Sequence, residues 1–210
     1  MDLYFAPLAC SLATRIALYE AGADARYIQV DTHAKRLPDG GDYYAINPMG
    51  QVPVLRTDEG ELLSENTAVL QYVAERFPDA KLAPPSGFGR HRLRQWLGFI
   101  GTELHKAVFV PQLERAAPPE AKAYARDKAA LRLDLLQDHL AGQDYLLDDF
   151  SVADAYLFVV LNWSGAIDLD LAPWPALTAH RQRLLQRDGV QRAFREELEL
   201  YRAEQARAVR

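Results

Sequence analysis

Residues 3–30, LYFAPLACSLATRIALYEAGADARYIQV, decide the fold. Leu3-Tyr4-Phe5 is a short apolar run closed by Pro7 and reads as a strand. From Ser11 to Gly22 the apolar residues Leu12, Ile16, Leu18 and Tyr19 return at helical spacing, and Gly22 supplies a stop. Tyr27-Ile28-Gln29-Val30 is a second strand. Two strands flanking one helix make a βαβ unit, and the crossover brings the second strand back parallel to the first.

Working outward, the polar stretch from Asp31 to Asn47 contains Lys35, Pro38, Gly40 and Gly41 and reads as loop, with room for one short helix. Val52-Pro53-Val54-Leu55 is a strand carrying a proline, Asp58-Glu59-Gly60 a tight turn, and Glu61-Leu62-Leu63 the partner strand of a hairpin. A helix follows from about Glu65 to Phe77, with Ala68, Val69, Tyr72 and Val73 on one face, and stops before Pro78. Ala83-Pro84-Pro85-Ser86-Gly87 is a linker, and beyond it strand signals vanish. Helical patterns occupy residues 88–116, 119–141, 152–164, 174–187 and 189–205, punctuated by Pro118-Pro119 and Pro173-Trp174-Pro175. The expectation is a small α/β domain over residues 1–80 and an all-helical domain over 88–210.

Composition narrows the function classes. The chain has 210 residues, 49% of them hydrophobic, enough for a real core, and a net charge of −5 with both signs interspersed. A nucleic-acid scaffold would concentrate basic residues on one face. Here Arg181, Arg183, Arg187, Arg192 and Arg195 share the C-terminal stretch with Glu196, Glu197 and Glu199, which reads as a solvated helix face. No apolar run approaches the roughly 20 residues of a membrane span. Met1-Asp2 gives no basic leader, so Pro7-Leu8-Ala9-Cys10 is not read as a processing site. One cysteine allows no internal disulfide, and a cytoplasmic location is expected. The five histidines lack paired spacing, so no metal is expected.

Five stretches could carry chemistry. Cys10 sits where a strand's loop enters a helix, and the free N–H groups and partial positive charge of a helix start stabilise a thiolate. The plain alternative is an inert small residue. Pro53 cannot donate to a sheet ladder, so Val52-Pro53 is either an edge position or a cis peptide whose neighbouring N–H and C=O are turned toward a bound extended peptide. At Glu65-Asn66, Ser64 or Glu65 would cap the next helix, whose start also binds carboxylates while a side-chain carboxylate holds an ammonium. In Thr102-Glu103-Leu104-His105-Lys106, the stripe Leu93, Trp96, Leu97, Ile100 and Leu104 predicts the buried face. It leaves Gly98, Thr102, His105 and Lys106 on a neighbouring one. Ser151 and Asp154 form a capping box, a structural feature.

In their order and spacing these segments resemble the glutathione transferases, most closely the bacterial beta class. The carriers are residues 3–13 with their cysteine, Asn47-Pro48-Met49-Gly50-Gln51-Val52-Pro53-Val54-Leu55, Glu65 to Tyr72, Thr102 to Lys106, and Phe150 to Asp154. The resemblance spans essentially the whole chain. It implies a thioredoxin-like N-terminal domain, a helical C-terminal domain, a homodimer, and glutathione at the domain junction as cosubstrate. It also implies that Cys10 approaches the glutathione sulfur and can form a mixed disulfide, with His105 supporting the sulfur chemistry. Val52, oriented by cis-Pro53, would pair with the cysteinyl part, Glu65 and Asn66 with the γ-glutamyl end, and Lys35 with the glycyl carboxylate. Thr102, Glu103 and Lys106 would line the same junction. Ser11 is a second candidate for the sulfur and Tyr4 a weaker one. The class usually carries asparagine where this chain has Gly98.

The reading that follows is a glutathione S-transferase that conjugates glutathione to a small hydrophobic electrophile, exchanges disulfides through Cys10, or both. Leu8, Phe109, Trp163 and Ile167 are candidates to contact the electrophile. A dehalogenase or isomerase using glutathione would share the first domain. A non-enzymatic interaction or stress-response module would be expected to lose these residues, and here they persist. Neither nucleic acid nor membrane is an expected partner.

Overall fold

The computed structural model describes residues 1–208. The chain forms two compact units, one of Met1–Leu82 together with the segment from Arg187 onward, the other of Ala83–Gln186.

The first unit contains β1 (Asp2–Phe5), α1 (Ser11–Glu20), β2 (Arg26–Gln29), β3 (Val54–Arg56), β4 (Leu62–Ser64) and α2 (Asn66–Arg76). The sheet order is β2-β1-β3-β4. β1 pairs parallel with β2, with Leu3 opposite Tyr27, and antiparallel with β3, with Leu3 opposite Leu55. β3 and β4 close the expected antiparallel hairpin. This mixed sheet with α1 and α2 is the thioredoxin-like arrangement. Its core takes Leu3, Phe5, Leu12, Ile16, Leu18, Leu55, Val69 and Val73, all at most 2% exposed. β3 begins two residues later than the apolar run suggests, because the Val52–Pro53 peptide is cis and lies outside the ladder.

The second unit is helical. α3 (Phe88–Phe99) runs without a break through a π-wound stretch, Ile100–Phe109, into α4 (Val110–Leu113). Then come α5 (Pro119–Asp127), α6 (Ala129–Leu140), α7 (Val152–Asn162) and α8 (Pro175–Leu184). The single pattern read over 119–141 is two helices that meet at Lys128. Apart from Asp154 in its first turn, α7 is apolar on every side and buried from Val152 to Leu161, as a helix at the centre of a bundle must be. The capping box opens it. Ser151 Oγ accepts from Ala153 N–H at 3.3 Å, and Asp154 Oδ2 accepts from Ser151 N–H at 2.9 Å.

The last helix, α9 (Asp188–Ala208), groups with the first unit, whereas the sequence reading assigned residues 88–210 to one domain. The reason lies in its contacts with the first unit. Arg187 pairs with Glu20, Glu196 with Arg15, and Gln29 donates to Glu204 at 2.6 Å. The charge-rich face read as solvated is therefore partly internal, and Glu197 is fully buried. Among the described residues no helix is long and apolar enough to cross a membrane, and no His, Cys, Asp and Glu group is placed to hold a metal ion.

Candidate functional site

β1 delivers the chain to Ala6, and a tight turn through Pro7, Leu8 and Ala9 sets Cys10 at the start of α1. The turn is closed by Ala9 N–H donating to Ala6 O at 3.1 Å. Ser11 reinforces it, its Oγ accepting from Ala6 N–H and donating to Ala6 O, each at 3.3 Å. Ser11 is fully buried and occupied by this turn, which makes it a structural neighbour of the thiol. Tyr4 is also internal, packed in a cluster with Val30, Tyr43 and Val54.

The half-buried Cys10 thiol donates to Val52 O at 3.3 Å across a 42-residue separation. This places the sulfur beside the cis Val52–Pro53 peptide. The loop before that peptide is held by side chains whose roles the sequence did not disclose. Tyr43 Oη and Asn47 Nδ2 both donate to Gln51 O, at 2.9 and 2.7 Å. Burial pushes the Tyr43 hydroxyl well above its usual range, so it stays protonated and donates. Lys35 Nζ donates to Gly50 O at 2.9 Å, so its ammonium sits at the same loop. Gly50 has φ +60°, and a Cβ there would lie 2.9 Å from the Tyr44 ring and 3.0 Å from the Lys35 side chain. That fit explains glycine at this position.

At the start of α2, Glu65 is exposed and held at φ +66°, ψ +111°, a conformation rare for a residue with a side chain. Of the two residues expected to cap α2, Glu65 takes the cap position, but its side chain makes no hydrogen bond to the helix start. Asn66 is 7% exposed. Its Oδ1 accepts from Thr14 Oγ1 at 3.2 Å, while its Nδ2 is buried without a hydrogen-bond partner. An unmatched amide donor beside the uncapped N–H groups of a helix start is chemically suited to a carboxylate. Thr14, one turn along from Cys10, is a further residue that sequence reasoning missed. No local pattern marks it.

In the second unit, the π-wound stretch carries Thr102, Glu103, His105 and Lys106. Thr102 is exposed, and its Oγ1 donates back to Gly98 O at 3.0 Å. Glu103 is half-buried and ion-paired with Arg132. Lys106 is exposed. His105 departs from the neighbouring face it was expected to share, being 9% exposed with Nδ1 2.7 Å from Tyr156 Oη and its ring against Trp163. Burial pulls its pKa down to about 4, with the Lys106 charge adding to the effect, so the ring is neutral near pH 7. With Tyr156 as donor, Nε2 carries the imidazole proton. Of the residues read as electrophile contacts, Phe109 and Ile167 are core, whereas Leu8 and Trp163 are half-buried.

The structure thus brings Cys10, Val52 and Pro53 together, with Lys35 bound to the loop just before them. Thr14 joins Asn66 to α1, which Cys10 opens. A thiol at a helix start, bonded to the carbonyl that precedes a cis-proline on this mixed sheet, marks a thioredoxin-like domain. Comparison with known proteins narrows the class. Residues 1–75 match the family model of the glutathione S-transferase N-terminal domain, and residues 102–188 that of the C-terminal domain. Glutathione S-transferase GstA of Escherichia coli O157:H7 is 41% identical over 196 residues, covering 92% of this chain and 97% of that protein. A sphingomonad glutathione S-transferase solved in complex with glutathione is 43% identical, with a TM-score of 0.90 over 94% of this chain and 98% of the other. The beta-class enzyme of Sphingomonas chungbukensis is 41% identical, with a TM-score of 0.90 over 94% and 98%. The chain belongs to the glutathione S-transferase family, resembles beta-class bacterial members among its structural neighbours, and is a glutathione-dependent transferase.

Proposed function

We propose that this transferase exchanges disulfides through Cys10, by way of a mixed disulfide with glutathione, and also conjugates glutathione to small hydrophobic electrophiles. One observation carries the reading: the Cys10 thiol stands 3.3 Å from Val52 O, beside the cis-proline peptide. In exchange, the Cys10 thiolate attacks one sulfur of glutathione disulfide. A Cys10–glutathionyl bond forms, the original S–S bond breaks, and the departing glutathione thiolate takes up the proton that Cys10 released. A second thiol then attacks the mixed disulfide and regenerates Cys10.

The remaining roles follow from the chemistry of each group. Val52, set by Pro53, offers backbone hydrogen bonds to the cysteinyl portion of glutathione. Asn66 and the α2 start receive the γ-glutamyl carboxylate, and Glu65 its ammonium. Lys35 serves the glycyl carboxylate. His105 supports the sulfur chemistry as a neutral imidazole, with Thr102, Glu103 and Lys106 on the same helical stretch. Ser11 contributes by fixing the turn that carries Cys10. The working state is a cytoplasmic homodimer. Sedimentation equilibrium showing only monomer at micromolar concentration would remove the dimer.

Cys10→Ala tests the proposal. Glutathione-dependent reduction of a mixed disulfide should be abolished, while conjugation to a chromogenic aryl halide is retained at least in part. A variant with both activities intact would remove Cys10 from the chemistry.

A further inference from the structure

We infer that Glu197, from the C-terminal helix, is a positioning residue for Cys10: its carboxyl fixes the Leu8 peptide in a left-handed turn and so aims the thiol two residues later. The inference rests on the reading of Cys10 given above.

Leu8 has φ +59°, a region that L side chains avoid because Cβ crowds the carbonyl. A residue there must be held by its surroundings. The Leu8 N–H donates to Glu197 Oε2 at 2.8 Å, across 189 residues of chain. Glu197 is fully buried, a costly place for a carboxyl group, and its Oε1 makes no hydrogen bond.

The ion pair with Arg15 offsets only part of the cost of this burial, because Arg15 Nη1 lies 3.7 Å from Oε1 and the two make no hydrogen bond. Arg15, from α1, already bonds Glu196 and donates to Tyr19 Oη at 3.2 and 3.1 Å. Its guanidinium also lies over the Phe5 and Tyr27 rings, at 5.0 and 4.4 Å. Glu197 Oε1 is farther from Arg15, at 3.7 Å, so what Glu197 adds is the bond to the Leu8 peptide. The charged groups around it are Arg15 from α1 and Glu196 from its own helix. Burial pushes the Glu197 carboxyl up to about 8. Oε2 can accept the Leu8 N–H in either protonation state, which makes glutamine a close isostere.

The chain holds one cysteine, so intact mass reports Cys10 alone. The measurement is the rate of glutathionylation by glutathione disulfide divided by the rate of alkylation by iodoacetamide. The first reaction needs an aimed thiol beside a glutathione site, and the second needs only an accessible one. The ratio is taken for wild type, Glu197→Gln, Glu197→Met and Leu8→Gly/Glu197→Met. Methionine fills the volume without offering an acceptor, and glycine adopts positive φ freely. We expect Glu197→Gln to stay within about twofold of wild type and Glu197→Met to lose about tenfold or more. Leu8→Gly should then recover most of that loss. A merely structural Glu197 would lower the melting temperature without moving the ratio, and glycine would not rescue it.

A selective wild type with an equally selective Glu197→Met overturns the inference alone. A wild type no more selective than the unfolded chain overturns the Cys10 reading and the inference with it. If Glu197→Met does not fold, Leu8→Gly/Glu197→Met is compared with Leu8→Gly. Equal ratios together with a Glu197→Ala variant, which also lacks the acceptor, that loses about tenfold against wild type support the inference, and a Glu197→Ala ratio equal to that of wild type overturns it.

Discussion

Replacing Asp154 with alanine should cost the helical unit a large part of its stability. Asp154 is fully buried at the start of α7. Its Oδ1 accepts from Leu146 N–H at 2.8 Å and lies 3.0 Å from His180 Nε2. Its Oδ2 accepts from Ser151 N–H and from Ser151 Oγ, each at 2.9 Å. Alanine leaves two backbone N–H groups, those of Leu146 and Ser151, buried without this acceptor. Each such loss costs about 1–3 kcal/mol, so the total is about 4 kcal/mol, a large share of the 5–15 kcal/mol by which domains are stable. For a chain of this size that is a fall of roughly 10 °C in melting temperature. Circular dichroism melts and urea titrations at constant protein concentration measure it, with the urea slope expected to stay constant. A fall of less than about 2 °C would mean that the two N–H groups find other partners at little cost and that Asp154 is not what holds this helix start.

Three further outcomes follow from other parts of the molecule. His105 is held neutral, with its pKa depressed from 6.5 to about 4, so on acidification the unfolded chain takes up this proton before the folded one. The resulting stabilisation is full above pH 6.5 and lost as pH falls through about 4. Relative to His105→Gln, wild type should therefore lose up to roughly 3 kcal/mol over that interval, read from urea midpoints. A gap independent of pH would contradict it. At Gly98, within α3, an added Cβ meets nothing within 4 Å, so Gly98→Ala should stabilise by about 1 kcal/mol, seen as a higher urea midpoint. A lower midpoint would mean that glycine is needed there for packing. Cys10→Ala should separate exchange from conjugation when the two assays are run side by side.

Much of this was legible in the sequence because the first unit is punctuated locally. Pro7, Gly22, the Asp58-Glu59-Gly60 turn and Pro78 bound its strands and helices, and the apolar spacing between them gives each element its type. Cys10 at the head of α1 was also visible, as was the Ser151–Asp154 box, since both depend on neighbours in sequence. The remainder depends on neighbours in space. The meeting of Cys10 with Val52 O, the support of Gln51 O by Tyr43 and Asn47, and the Thr14–Asn66 bond join segments that no periodicity connects.

Two misreadings have physical causes. An α-helical period places His105 beside Thr102 and Lys106, but the π-wound stretch alters the winding there and His105 packs against Tyr156 and Trp163. The mixture of Arg and Glu near the C-terminus suggests a solvated face. Glu197 is internal, where a backbone N–H at Leu8, far away in the chain, supplies its hydrogen bond and Arg15 lies beside it.

The most direct test of the central claim is the intact mass of the purified protein after brief exposure to glutathione disulfide. A rapid gain of one glutathionyl group is expected, faster than in the unfolded chain and absent in Cys10→Ala. A folded protein that gains nothing, or gains no faster than the unfolded chain, would contradict a thiol placed for glutathione chemistry at the cis-proline peptide.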